Sequence, residues 1–298
     1  MDLIIEDNGN EIVVRNMEDL EPKHIFECGQ AFRWHKEEDG SYSAIHRNGI
    51  INVRRDGRDI VFSNTDLETF HGIWYDYFDL ARDYGRIKEQ LPKDSTMVKA
   101  IEFANGIRIL RQEPFETTVS FIISANNHIQ RIRKSIGLIS RNYGEFITAY
   151  RGRDYYSFPN AEVLAELDAG ELETVSKIGY RAKYVVETSK MIASGEVDLS
   201  RIFQLPTVAG KEQLMRLPGV GPKVSDCILL FAFAKEDVFP IDVWVGRVMR
   251  HLYLDEDAKF KDISTYAEER FGNLAGFAQQ YLFYYAREHG IGREKRNK

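Results

Sequence analysis

The chain has 298 residues, a length that points to two domains, and 43% of them are apolar, enough for a real core. A net charge of −6 argues against holding nucleic acid through an overall basic surface, although a local basic face is compatible with it. Two cysteines, Cys28 and Cys227, exclude a disulfide framework and a four-cysteine zinc or iron–sulfur centre.

No apolar run approaches the roughly 18 residues that a membrane span requires. The N-terminus MDLIIEDNGNEIVV lacks the basic-then-apolar layout of a secretory signal. A reducing, cytoplasmic setting is therefore expected, at the nucleoid if the source is bacterial, with no membrane association and a monomeric chain.

Residues 1–65 read as antiparallel β structure. The runs IIED, EIVVRN, AFRWHK, SYSAIHR, GIINVRR and DIVFS are short and rich in β-branched and aromatic residues, and the turn signals Asp7-Asn8-Gly9, Asp39-Gly40, Asn48-Gly49 and Asp56-Gly57 separate them. The expected arrangement is a strand meander. From Asp66-Leu67-Glu68-Thr69 onward the period changes to that of helices. Apolar residues recur at helical spacing over 97–112, 115–140, 161–176, 180–194, 208–217, 222–234, 242–253, 261–271 and 275–288. Thr207 and Asp242 precede helices as start signals. The fold class is α+β: a sheet domain with flanking helices over 1–95, then a helical domain over 96–298. The tail REKRNK, 293–298, reads as a frayed end or a short basic arm.

One stretch carries chemistry. LMRLPGVGPKVSDCILL, residues 214–230, places a five-residue turn between two helical runs. A dinucleotide fingerprint needs a preceding strand and a third glycine, and a P-loop needs GxxxxGK[ST]; neither pattern is met. A helix–hairpin–helix over about 208–234 fits. Its glycines allow left-handed angles and close backbone approach, so the amides of Gly219, Val220 and Gly221 at a helix N-terminus can hold a DNA phosphate without basic side chains. An ordinary helix–turn–helix corner would also suit the glycines.

Lys223 opens the second helix of this hairpin, with Cys227 at i+4 on the same face. Apolar surroundings and a positive helix end both disfavour an ammonium group, so a lysine so placed can act as a neutral nucleophile that forms a Schiff base. Simple contact with a phosphate is the blander alternative. Asp242 lies 19 residues further on, directly before a helix. It reads as an N-cap, worth about 1 kcal/mol, or as a carboxylate held near the amine to stabilise an oxocarbenium-like sugar carbon.

Together, LPGVGPKVSDC and VFPIDVWVGR strongly resemble the HhH-GPD DNA glycosylases, in the branch of eukaryotic-type 8-oxoguanine DNA glycosylase/AP lyases that also occurs in some bacteria. ECGQAFRW (27–34), SANNHIQRI (124–132), GYRAKYV (179–185) and FAQQYLFYYA (277–286) fit the same family in its order. The resemblance implies a TBP-like antiparallel sheet ahead of the helical body, no metal or redox cofactor, and duplex DNA containing 8-oxoguanine opposite cytosine as partner. It implies Lys223 as the nucleophile at the sugar C1′ and Asp242 as the assisting carboxylate. The Gly29 carbonyl would accept from N7–H of the oxidised base, where guanine offers only a lone pair. Cys227 and Phe283 would sandwich the flipped base, and Gln279 would read its Watson–Crick edge. Asn126, Arg131, Tyr180 and Arg181 would fill the vacated stack, wedge the duplex and read the partner base, offsetting the few kcal/mol that flipping costs.

Two positions depart from the family. Trp244 stands where a histidine is usual two residues after the aspartate, and Ala286 where a carboxylate is usual three residues after the phenylalanine. These departures put the local phosphate grip and the strictness of partner-base choice in question. The rival readings are a glycosylase of the same fold for another damaged base, such as an alkylated purine, and a non-catalytic helix–hairpin–helix DNA-binding module.

Overall fold

A computed structural model describes residues 3–292, so the 293–298 tail lies outside the described residues. All six expected strands form: β1 Ile5–Asp7, β2 Glu11–Val14, β3 Trp34–Lys36, β4 Tyr42–His46, β5 Gly49–Asp56 and β6 Asp59–Ser63. Every pairing is antiparallel, in the order β1-β2-β6-β5-β4-β3. This is not a simple meander. Helix α1, Pro22–Glu27, intervenes between β2 and β3, and β6 returns to pair with β2. Proline at the first helical turn and the Glu21 carboxylate, which accepts from the Lys23 amide, start α1. Ile25 and Phe26 of this helix pack on the sheet beside Trp34, Tyr42 and Phe62. The sheet's buried face therefore carries the segment that ends at Gly29.

Short turns follow: α2 Leu67–Thr69, a wider turn over Phe70–Trp74, and α3 Tyr75–Tyr77. The helical body then comprises α4 Tyr84–Gln90, α5 Ser95–Phe103, α6 Pro114–Ser124, α7 Ile129–Tyr143, α8 Ala161–Ala165, α9 Ala169–Ser176, α10 Arg181–Ala193 and α11 Leu199–Ile202. It closes with α12 Thr207–Leu214, α13 Pro222–Phe233, α14 Val243–Leu252, α15 Phe260–Phe271 and α16 Ala275–His289.

Three expected helices are broken. The run over 97–112 stops at Phe103, because the following backbone serves tertiary contacts. Gly106 accepts from the Glu21 amide and sits so close that a Cβ there would lie 2.3 Å from Glu21 Cβ. The Leu110 and Gln112 amides then donate to Gln30 Oε1 and the Phe231 carbonyl. The run over 115–140 divides at Ala125–His128, where Asn126 adopts φ +49°. The run over 161–176 divides at Leu167, and Asp168 caps α9. A hairpin of β7 Phe146–Tyr150 and β8 Arg153–Tyr156, turning at Arg151-Gly152, interrupts the otherwise helical body.

The two apolar clusters interleave across residue 95. Tyr84, Ile87, Leu91, Cys28 and Phe32 belong to the core of the body, whereas Leu110 belongs to that of the sheet. Arg108 ties the junction. Its buried guanidinium donates to the carbonyls of Phe78 (3.0 Å), Asp19 (3.2 Å), Asp79 (2.7 Å) and Arg82 (2.8 Å), and it lies 4.1 Å over the Tyr84 ring. Arg108→Met keeps most of the stem but strands these carbonyls. It should cost about 4 kcal/mol, read as a lower urea midpoint at unchanged m-value.

Candidate active site

The hairpin forms as expected between α12 and α13. Gly219 has φ +82°, and a Cβ there would come within 3.0 Å of the Tyr184 side chain. Gly221 caps α13, and Pro222 occupies its first turn. One expected donor is lost: the Val220 amide donates to the Leu217 carbonyl at 3.1 Å, and its side chain is buried. Pro222 has no N–H. The amides left for an anion are therefore those of Gly219, Gly221 and the first turn of α13 beginning at Lys223.

From Val224 to Phe233 every residue of α13 is buried. Lys223 sits at the one accessible end, half-buried, with its Nζ 5.4 Å from the centre of the Phe121 ring. It lines a cavity of about 160 Å³ together with Cys227, Asp242, Gly29 and Phe283. That volume is of the order that admits one aromatic ring. Asp242 caps α14 by accepting from the Val245 amide at 2.7 Å through Oδ1. The cap and the cavity role coexist, because one oxygen orients the carboxylate while the group borders the space shared with the lysine.

Gly29 reaches this cavity from the sheet side with φ +91°. A Cβ there would sit 3.5 Å from Phe283, 3.6 Å from Arg287 Nη1 and 3.7 Å from Ile129. The neighbouring Gln30 side chain is buried. It donates to the carbonyls of Ile25 and Arg108 and accepts from the Leu110 amide, so the glycine is anchored from behind. Cys28 also lines the cavity, and its thiol donates to the Ile25 carbonyl at 3.2 Å.

Gln279 does not reach the cavity wall. It is buried, its Nε2 lies 3.4 Å from the Pro240 carbonyl, and its Oε1 accepts from Gln280 Nε2 at 2.7 Å. Gln280 lines the cavity instead. Relative to Phe283 the two residues are i−4 and i−3, which share a helix face, so spacing alone could not choose between them. Phe121, Phe231 and Pro240 were also missed as walls, because each lies in an apolar run with an obvious core role.

Trp244 packs its ring perpendicular to Phe283 with centroids 5.0 Å apart, and Ala286 is fully buried. The departures from the family thus place an apolar contact where a polar pair was expected.

On the outer rim, Asn126 and Arg131 are exposed, as is Tyr180. Arg181 is not free to reach outward. It donates to the Ala125 carbonyl through Nε at 2.9 Å, and also to the carbonyls of Asn126 and Ile178. Its guanidinium lies 4.6 Å over the Tyr180 ring. Its present work is to hold the Asn126 turn beside Tyr180. Among the described residues, no group of three His, Cys, Asp or Glu side chains is placed to hold a metal ion, and no helix is long and apolar enough to cross a membrane.

Residues 12–118 match the 8-oxoguanine DNA glycosylase N-terminal domain, and residues 119–273 match the HhH-GPD superfamily base excision DNA repair proteins. The chain belongs to the HhH-GPD superfamily. This HhH-GPD protein is 30% identical over 263 residues to the N-glycosylase/DNA lyase of Saccharomyces cerevisiae, covering 80% of this chain and 69% of that one. It is 27% identical over 275 residues to the N-glycosylase/DNA lyase OGG1 of Arabidopsis thaliana, covering 87% and 75%. The crystal structure of Clostridium acetobutylicum 8-oxoguanine glycosylase/lyase with dsDNA containing cytosine opposite 8-oxoG superposes with a TM-score of 0.94. The two are 46% identical, over 98% of this chain and 100% of that one. A 3-methyladenine DNA glycosylase from Archaeoglobus fulgidus shares the architecture, with a TM-score of 0.73 at 21% identity.

Burial pushes both cavity thiols, Cys28 and Cys227, up to about 11, in Cys227 despite the opposing influence of nearby Lys223. They are uncharged walls and not nucleophiles near neutrality. The sign fixes the pH dependence: an acid with a raised folded value contributes fully below its unfolded value, about 8.5, and this contribution is lost as pH rises toward about 11. Both thiols should resist iodoacetamide at about pH 8 in the folded protein and react on unfolding, which mass spectrometry of alkylated peptides can check.

Proposed function

We propose that this chain excises 8-oxoguanine from duplex DNA, with cytosine opposite the lesion, and then cleaves the strand at the abasic site. The observation that carries this reading is the meeting of Lys223, Asp242, Gly29, Cys227 and Phe283 around one cavity. Four segments distant in sequence supply them: the start of α13, the cap of α14, the loop after α1, and α16.

In this reading the duplex is gripped at the hairpin by the Gly219 and Gly221 amides and the first turn of α13. Tyr180 wedges the stack, Asn126 fills the gap, and Arg131 faces the partner base. The flipped base lies between the Cys227 thiol and the Phe283 ring. Its N7–H donates to the Gly29 carbonyl, a contact that guanine answers with a lone pair. The free amine of Lys223 attacks C1′. The glycosidic bond breaks, and the base leaves with that electron pair and takes up a proton, while the Asp242 carboxylate stabilises positive charge on the sugar. Loss of a proton from the attacking nitrogen gives the aminal, and the C1′–O4′ bond then opens, O4′ taking up a proton while the nitrogen lone pair forms the C1′=N bond of the Schiff base. Removal of a C2′ proton then breaks the C3′–O bond and cuts the strand. Gln280 is the amide available to the Watson–Crick edge as the cavity stands, with Gln279 behind it. We place the enzyme in the cytoplasm, at the nucleoid if the source is bacterial, acting as a monomer.

Borohydride should trap the wild-type chain covalently on 8-oxoguanine DNA. Lys223→Gln should abolish the trap and the nick while duplex binding stays within about twofold. Trapping of the variant at the wild-type rate would overturn the mechanism. Gly29→Ala should lower 8-oxoguanine excision by about tenfold or more and abasic-site nicking far less; equal losses on the two substrates would mean that the carbonyl does not read the base.

A further inference from the structure

Arg287 is not used by the chemistry above, yet it touches both halves of the base-reading apparatus. It lies one turn after Phe283 on α16, with its guanidinium 5.7 Å from the Phe283 ring centre and 5.1 Å from that of Tyr284. Its Nη2 donates to the carbonyl of Glu27, the last residue of α1, and its Nε bonds the Glu288 carboxylate at 3.0 Å. Its Nη1 lies 3.6 Å from where a Cβ on Gly29 would be. One side chain therefore joins the ring on which the base is to stack to the segment whose carbonyl is to select it.

Gly29 needs such a brace. With φ +91° and no side chain, its peptide can rotate between several orientations, and the proposed reading of the base requires one of them to be held. Downstream, the Gln30 side chain fixes the segment to residues 108–110. Upstream, the bond from Arg287 to the Glu27 carbonyl fastens it to α16. The planar guanidinium can stack and donate together, which an ammonium cannot. Trp244 holds the Phe283 ring from another direction, edge to face. Selection of an N7–H donor depends on a carbonyl held to within roughly 0.5 Å.

We infer that Arg287 is a positioning residue for lesion recognition: it sets the Gly29 carbonyl in register with the Phe283 stacking ring, and so determines discrimination between 8-oxoguanine and guanine. The inference rests on the proposed function and goes beyond it, to a residue outside the cavity wall.

The test uses the full chain carrying Lys223→Gln, which binds without cutting. Its affinity is measured for three duplexes that differ only at the target position: 8-oxoguanine, guanine, and a tetrahydrofuran abasic analogue. Adding Arg287→Ala should reduce the preference for 8-oxoguanine over guanine by about tenfold, leaving abasic-analogue affinity within about twofold. Arg287→Lys should not restore the preference. Arg287→Met, which keeps the stem over Phe283, replaces the alanine variant if that one melts early. An equal loss on all three duplexes, or rescue by lysine, would make Arg287 a phosphate-attracting charge and overturn the inference, as would an unchanged preference. If the Lys223→Gln parent itself shows no preference for 8-oxoguanine, the proposed function fails first and this inference falls with it.

Discussion

The site depends on α13 being immobile. From Val224 to Phe233 every residue of the helix is buried, nearly all of them in the apolar core and Asp226 in an ion pair with Lys211, so it cannot slide or rotate without opening the core of the body. Its first turn is the part most open to solvent. A lysine placed there inherits the rigidity of the whole helix while keeping one accessible end, as the proposed nucleophile must. The same burial that forbids motion also keeps the Cys227 thiol neutral one turn away. Attack at a sugar carbon requires placement to within a fraction of an ångström, and a packed helix supplies it more securely than a loop.

Around this fixed point, backbone bonds do most of the aiming. The Val245 amide orients the Asp242 carboxylate, three carbonyls hold Arg181 against the Asn126 turn, and the Gln30 amide group locks the segment behind Gly29. Each contact spends a polar side chain on a main-chain partner. The rim and the cavity thus keep their shape without bound DNA, and less conformational entropy remains to be lost on binding. The exchange of a polar pair for Trp244 and Ala286 follows the same logic. A perpendicular contact between the Trp244 indole and the Phe283 ring steadies that ring through packing, and the burial of Ala286 leaves no polar group needing a partner.

Much of the architecture was legible. Alternation and turn residues marked all six sheet strands, and apolar spacing marked the helices from Arg181 to His289 closely, apart from the four-residue α11. Where the reading failed, distant contacts had overruled local preference. Residues 104–112 have helical spacing, but their amides serve Gln30, Tyr84 and Phe231. The break at Asn126 costs a left-handed residue, and the turn it makes is held from outside by Arg181.

The site divides in the same way. Sequence by itself determined the hairpin, the lysine at the start of its second helix and the aspartate at the start of the next, because turn chemistry and capping are local and leave marks within a few residues. Tertiary structure alone decided that Gly29 meets Phe283 across more than two hundred positions of chain, that Gln280 and not Gln279 faces the cavity, that the Val220 amide turns inward, and that Arg287 reaches Glu27. A helix period of 3.6 residues states which side chains share a face. It does not state the rotation of that face against a partner, and that rotation is set by the packing of the whole core.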